Sequence, residues 1–434
     1  MTRRGGSADL PLHGGRVPAW LGQRMARLGA VMSEAIVHEY GRDELLRRLA
    51  HPFWFQSFGA VMGMDWHSSG ITTSVIGALK RGLAPIAHEL GIHVCGGRGK
   101  HSRATPSELV AIGQRVGFDG DALAASSKLV AKVDSAAVQD GFDLYLHGFI
   151  VSDDGRWVVV QQGMNTDLRQ ARRYHWLSEG LSSFVDAPHA AIEGEARGMI
   201  INLVDARARR SREAQLEALR DLGASGVVRE FGRLAASNAA HKLASSPQPD
   251  VAEELLPVQA ELLPHLSLPD HHEVTAGDVI ARRLHGNLAA VEANGPRDFS
   301  ELLQVPGVGA RTLRALAMVA EVLHGAPCRF SDPARFSLAH GGKDGHPFPV
   351  PTRAYDQTIT VLKSAVRNAK LGREEELAAI RRLDSQARLL EPHAKGPSVA
   401  DYIDEEHRAA HRYGGRTVAG WSRGPGDDSQ EPIG

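Results

Sequence analysis

Two strand-like runs on either side of a tight turn constrain the fold of this chain more than any other segment. The runs Phe142 to Ile150 and Trp157 to Gln162 are rich in Val, Ile and aromatic residues, and they flank Ser152-Asp153-Asp154-Gly155. β-branched and aromatic runs around an Asp-Gly turn are typical of an antiparallel hairpin. Segments with helical periodicity surround this hairpin. The pattern predicts an α/β (α+β) N-terminal domain with a small mixed sheet.

Apolar periodicity and the positions of proline and glycine predict the remaining organisation. Helices are expected at Val17 to Tyr40 and at Arg42 to Ala50. Another is expected with Thr105 as its N-cap, Pro106 at the first helical position and Glu108 completing a capping box. The domains we predict are a flexible arm at 1–16, an α/β catalytic domain at 17–190, a helical connector and linker at 191–271, an all-helical domain at 272–392 and a partly disordered tail at 393–434.

Composition excludes several classes of protein. No apolar run approaches 18 residues, which argues against a membrane-spanning role, and the N-terminus does not have the pattern of a signal peptide, so we expect a cytoplasmic protein. Cys95 and Cys328 are too few for a disulfide framework. The net charge is −1, so a nucleic-acid binder of this composition must concentrate its positive charge locally.

The most specific motif lies between Phe299 and Leu316, where a short helix, Pro306-Gly307-Val308-Gly309 and a longer helix are predicted. This pattern is typical of a helix-hairpin-helix. Glycines let the backbone approach a phosphate, and the amides of the second helix point at the anion. Pro306, Gly307, Val308, Gly309, Arg311, Thr312 and Arg314 are therefore candidate DNA-binding residues. An ordinary turn between packed helices, or a unit that binds protein, is the alternative.

The layout of this motif resembles that of the helix-hairpin-helix base-excision glycosylases. In some of them a catalytic lysine follows the second hairpin glycine, and Arg311 stands at that position here. Asp332 is a candidate for the family's aspartate, but the residues around it differ from the family's. The resemblance therefore does not imply Schiff-base lyase chemistry.

Clusters of Asp, His, Ser and Gly in the N-terminal half are candidates for metal-dependent chemistry. Asp65, Asp134, Asp143 and His147 are candidate metal ligands, and His67, Lys100, Asp143 and His147 are candidate catalytic residues. In this interpretation His67 acts as a base, while Lys100 and Arg98 neutralise the phosphate. Period-two alternation predicts that Asp143, Tyr145 and His147 share one face of a strand. A solvated strand face and a helix cap are the structural alternatives.

Three further patterns bear on phosphate and nucleic-acid binding. The loop Gly96 to Ser102 can cradle a phosphate, although it lacks the spacing of a P-loop. The Asp-to-Gln strand pair is faintly similar to the PD-(D/E)xK nuclease core, but no lysine follows Gln161 or Gln162. Arg172 and Arg173, next to Tyr174 and Trp176, are candidates for binding single-stranded DNA, with a packed helix as the alternative.

Taken together, eight segments resemble an uncharacterised bacterial and archaeal family, domain of unknown function 763, over roughly residues 7 to 390. The segments are His13-Gly14-Gly15, Pro52 to Gln56, Asp65 to Thr73, Gly96 to Pro106, Lys132-Val133-Asp134, Gln139-Asp140-Gly141, Gln161 to Met164 and Ala171 to Trp176. Arg98 stands where lysine is expected in the family, and Leu146 where another histidine is expected. The resemblance implies that these segments form one unit, and it brings no activity with it.

These patterns favour a DNA-processing enzyme, namely a metal-dependent nuclease that acts on structured or damaged DNA in repair or recombination. Its cofactor would be Mg²⁺ or Mn²⁺ and its partner DNA, and a homodimer is plausible by analogy. Two alternatives stay open. One is a non-catalytic DNA-binding scaffold, and the other is an enzyme that acts on a nucleotide-like phosphate ligand.

Overall fold

The structure is a computed structural model of the chain. It describes residues 10–11, 19–62, 64, 70–194, 197–245 and 281–334, together with 360–362, 364–365, 367, 408, 416–417 and 420–421. The predicted arm, linker and tail lie mostly outside these residues, and so do Asp65 and His67.

Helices lead and end the main described part of the chain, and most of the strands lie together between α7 and α8. The helices are α1 (Ala19–Tyr40), α2 (Arg42–Ala50), α3 (Pro52–Val61), α4 (Gly70–Leu83), α5 (Ala87–Leu90), α6 (Lys100–Val116), α7 (Gly120–Lys132), α8 (Arg209–Ser245), α9 (Ala281–Asn294), α10 (Phe299–Gln304) and α11 (Ala310–His324). The strands are β1 (Leu10–Pro11), β2 (Ile92–Arg98), β3 (Val138–Gln139), β4 (Asp143–Ser152), β5 (Trp157–Asn165), β6 (Gln170–Leu177), β7 (Ala191–Glu193), β8 (Ile201–Asn202), β9 (Arg416–Thr417) and β10 (Gly420–Trp421).

The predicted hairpin is confirmed, and it forms the centre of a six-stranded sheet of order β1-β6-β5-β4-β2, with β7 also paired to β6. Every strand pair in the described residues is antiparallel, so the expectation of a mixed sheet is wrong. Short connections such as 153–156 join neighbouring strands, and a connection of that length allows only antiparallel pairing.

Apolar layers cover both faces of the sheet. Val158 and Val160 pack against the core of α1 to α4, whereas Val159 and Trp176 face α6, α7 and the helices that follow. Because both faces are buried, β5 is apolar on both sides instead of alternating. The predicted helices at 17–40 and 42–50 are confirmed as α1 and α2.

The later helices share an apolar core with the second face of the sheet. Leu288, Leu302 and Leu316 belong to the same buried cluster as Phe149 and Trp157. Helix α8 is interrupted at Gly223, where φ is 62° and ψ is 175°. None of the described helices combines the length and apolar character that a bilayer crossing requires.

Helix α6 begins six residues before Pro106, its predicted first residue. Lys100 is its first residue, and Thr105 lies buried inside the helix. Glu108 does not complete a capping box. Its carboxylate instead accepts hydrogen bonds from Lys80 Nζ at 2.7 Å and from the Gly96 amide at 2.6 Å. The acid therefore ties α6 to α4 and to strand β2.

Candidate functional site

Asp134 lies at the centre of a buried hydrogen-bond network beneath the sheet. Its carboxylate accepts hydrogen bonds from His189 Nε2 at 2.6 Å and from Trp176 Nε1 at 3.0 Å, and Gln161 Nε2 is a third donor. The residue is fully buried in a π-helical turn, Val133–Ala137, that follows α7. Both carboxylate oxygens thus already have protein donors, as a buried charge requires.

His147 extends this network to α7. Its Nδ1 lies 2.7 Å from Gln161 Oε1, which can only accept, so Nδ1 carries a hydrogen. Its Nε2 then accepts the hydroxyl hydrogen of Ser127 at 2.9 Å. Burial lowers the pKa of His147 below its usual value. The imidazole is neutral, and both of its nitrogens are bonded within the protein.

Asp143 does not share a face with His147, so the period-two prediction is wrong. The β4–β5 register shifts between Leu144 and Leu146, with Leu144 opposite Gly163 and Leu146 opposite Gln162. This bulge at Tyr145 inserts one extra residue and reverses the alternation that follows it. Asp143 is exposed at the start of β4, whereas the His147 side chain is buried under the opposite face.

Arg172 is fully buried between two carboxylates. It donates to Asp140 Oδ2 at 2.9 Å and to the two oxygens of Asp332 at 3.0 and 2.7 Å, and its guanidinium lies over the Phe142 ring. Burial alone would lower the pKa of Arg172, but Asp332 and Asp140 raise it above its usual value. The charge therefore holds the segment after α11 onto the sheet. Asp332, the candidate glycosylase aspartate, is a partner of this arginine.

Arg173 points to the other face and is equally buried. It donates to Glu193 Oε2, to Gln56 Oε1 at 2.9 Å and, through Nε, to His175 Nε2 at 2.9 Å. Burial lowers the pKa of Arg173 to about 9. Since neither Arg172 nor Arg173 reaches the surface, the prediction that they bind DNA is not supported by their positions in the structure.

Arg98 and Lys100 flank the glycine turn between β2 and α6. Both are exposed, and the Arg98 guanidinium lies 5.7 Å from the centre of the Tyr145 ring. Gly99, between them, has φ of 60° and is the N-cap of α6. The turn therefore presents cations to solvent, away from the buried Asp134 network.

The turn between α10 and α11 is fixed to the sheet domain through its carbonyl groups. Lys132 Nζ donates to the Val308 carbonyl at 2.7 Å, and Gln139 Nε2 donates to the Ala310 carbonyl at 2.9 Å. Gln139 Oε1 also accepts from Arg314 Nε at 3.1 Å. The carbonyls of Val308 and Ala310 thus face inward and are satisfied.

The other side of this turn faces solvent. Pro306, Gly307 and Arg311 are exposed, and Gly307 has φ of 89°, which favours glycine. Val308 and Thr312 are buried, and Thr312 Oγ1 accepts from Asn287 Nδ2 at 3.3 Å. Of the residues predicted to bind DNA, these two therefore support the turn from inside.

A family model matches a part of the chain that includes all eight segments named in the sequence analysis. The model of a family described as "Protein of unknown function (DUF763)" matches residues 6–350. The chain belongs to this family. Searches of curated proteins and of solved structures found no significant match.

The family's segments do not bring the predicted metal ligands together in the described structure. Within the described residues, no three Asp, Glu, His or Cys side chains form a group able to hold a metal ion. Asp134 and His147 are linked through Gln161, but Asp143 lies elsewhere, and Asp65 and His67 fall outside the described residues. Lys100, a predicted catalytic residue, lies at the exposed start of α6.

Sequence reasoning missed the residues that support the turn. Lys132 and Gln139 appear in the segments that resemble the family, but no sequence pattern assigns them a role. His189 was missed as a partner of Asp134 because 55 residues separate the two along the chain. The available signal is the pair of charged residues on either side of Val133, in Lys132-Val133-Asp134.

Proposed function

We propose that this protein binds the sugar-phosphate backbone of DNA, and that the turn between α10 and α11 makes the contact. The observation that carries the proposal is the orientation of this turn, whose carbonyls are bonded inward to Lys132 and Gln139 while Gly307 and Arg311 are exposed. A surface that exposes amides and an arginine suits a phosphate oxygen.

The amides at the start of α11 provide the donors for this contact. The first N–H groups of an α-helix have no partner within the helix, and the N-cap Gly309 has no side chain to accept from them. Gly307 has no Cβ, so a phosphate can approach the backbone closely. Arg311 adds a positive charge beside these amides. A contact of this kind positions DNA without reading its sequence.

The metal-dependent nuclease expected from the sequence would use the same contact to hold its substrate. Its Mg²⁺ or Mn²⁺ site stays a prediction, since Asp134 is buried and bonded within the protein, Asp143 is exposed and Asp65 lies outside the described residues. DNA binding is therefore the function that the geometry supports best. Cleavage, and the proposed homodimer, are properties to be measured with it.

Fluorescence anisotropy on the full chain tests the proposal, with labelled single-stranded, duplex, bubble and flap DNA in Mg²⁺, Mn²⁺ or a chelator. For each phosphate contact, the logarithm of the association constant for DNA falls by about 0.9 for a tenfold rise in salt. One contact therefore accounts for about an eightfold difference in this constant between 0.1 M and 1 M salt. Arg311→Gln should weaken binding about eightfold at 0.1 M salt and reduce the salt slope by about 1.

Gly307→Ala provides a second variant of the same turn. A Cβ at this position would lie 2.5 Å from Asn287 Oδ1, and φ of 89° is strained for alanine. We therefore expect weaker binding together with a loss of stability of about 1 kcal/mol, so binding is compared well below the melting temperature of the variant. Arg115→Gln, at the exposed far end of α6, is the matched control. Absence of binding, or wild-type affinity in both turn variants, would refute the proposal.

A further inference from the structure

Four exposed basic side chains surround the start of α6. Arg98, Lys100, His101 and Arg103 are all exposed, and residues 98–107 contain no Asp or Glu. We call these four residues the β2–α6 cluster. Positive charges at the N-terminus of a helix oppose the helix dipole, so the arrangement is unfavourable unless an anion lies nearby. In a chain of net charge −1, this is a local concentration of positive charge.

The C-terminal half of α7 lies beside this cluster. Ser127 contacts His147 at 2.9 Å, and His147 is the cross-strand partner of Gly97. A Cβ built on Gly97 would lie 3.3 Å from the Cβ of His101. Ser127 is thus linked through the His147 side chain to the strand that leads into the cluster. Lys128, the next residue of α7, is exposed.

The same helix also reaches the α10–α11 turn. Lys132, four residues after Lys128, donates to the Val308 carbonyl at 2.7 Å. Side chains four residues apart lie on one helix face, with Cβ atoms about 5–6 Å apart. Residues 125–133 contain no acidic residue. Lys128 and Lys132 therefore share the face of α7 that reaches the α10–α11 turn.

We infer that the β2–α6 cluster and Lys128 form a second contact with the DNA backbone, continuous with the α10–α11 turn. The inference rests on the proposed function and extends it, because it assigns the sheet domain a direct role in holding the polyanion. The helix N-termini of α6 and α11 lie at the two ends of this surface, and α7 connects them. The ligand that fits is a nucleic-acid backbone long enough to reach both turns.

The double variant Lys100→Gln/Arg103→Gln tests this surface in the anisotropy assay. Loss of two phosphate contacts should weaken binding about sixtyfold at 0.1 M salt and lower the salt slope by about 2. Lys128→Gln should lower the affinity about eightfold by the same reasoning. Arg115→Gln removes an exposed cation from the same helix, roughly 22 Å from Lys100, and should bind like wild type.

The outcomes separate this inference from the proposed function. If the double variant binds like wild type while Arg311→Gln loses about eightfold, the second contact is wrong and the proposed function stands. If Arg115→Gln weakens binding as much as the double variant does, the effect comes from overall charge and the inference fails. Wild-type binding in the double variant and in both variants of the α10–α11 turn would overturn both proposals.

Discussion

Replacing Asp134 with alanine should destabilise the protein by several kcal/mol, because three buried donors lose their acceptor together. His189 Nε2, Trp176 Nε1 and Gln161 Nε2 all donate to this carboxylate, and Trp176, Gln161 and Asp134 are fully buried. A buried polar group without a partner costs about 1–3 kcal/mol, so three such groups correspond to about 3–9 kcal/mol. Globular proteins have total stabilities of only about 5–15 kcal/mol.

Urea unfolding at pH 7 measures this loss, with Asp119→Ala as the control. Asp119 is the N-cap of the same helix, α7, where its carboxylate accepts one hydrogen bond from the exposed amide of Ala122 at 2.9 Å. Loss of an N-cap costs about 1 kcal/mol. The midpoint should therefore move much further for Asp134→Ala at an unchanged m-value. Equal shifts in the two variants would refute the argument that Asp134 holds a buried network.

Two further predictions concern buried titratable groups. Burial lowers the pKa of His147 and, more strongly, of His175, so both stay neutral in the fold while the unfolded chain takes up protons near pH 6.5. The free energy of unfolding should be highest above this pH, and at lower pH it should decrease by up to about 1.4 kcal/mol per pH unit for each histidine. Urea titrations between pH 5 and 7 should show a shallower decrease for His147→Gln. An identical decrease would contradict the claim that His147 is kept neutral by burial. Burial raises the pKa of Cys95 and of Cys328 to about 12. Both thiols should react slowly with an aromatic disulfide reagent at pH 8 and rapidly in guanidinium, and fast reaction of the native protein would show that they are accessible.

The parts of the fold that are local in sequence could be predicted, whereas the contacts between distant segments could not. The hairpin around Asp154 and the helix α1 have strong periodic signals, and both are present in the structure. The bulge at Tyr145 leaves no mark on the pattern of residue types, so the faces of Asp143 and His147 were assigned wrongly. The start of α6 was misplaced because Thr105 and Glu108 have the spacing of a capping box.

The buried arginines Arg172 and Arg173 also depend on contacts with distant residues, which the sequence does not reveal. Arg172 and Arg173 next to aromatic residues are typical of a nucleic-acid surface, and only their carboxylate partners identify them as structural. Asp332 is 160 residues from Arg172, and Glu193 is 20 residues from Arg173. No local pattern connects such pairs. The exposed Arg311, by contrast, lies inside a turn motif whose residues are contiguous, and its role in DNA binding stays a prediction.

The segment from Lys132 to Asp140 explains why so many charges are buried in this protein. Lys132 and Gln139 bond to the α10–α11 turn, Asp134 is bonded to the sheet, and Asp140 accepts from Arg172, which also holds Asp332 beyond α11. Apolar packing alone would let the later helices slide across the sheet, because it is not directional. Hydrogen bonds to defined atoms fix one arrangement, provided that every group is paired. Asp134, a candidate metal ligand in the sequence, thus belongs to a segment that orients the proposed DNA-binding turn relative to the sheet.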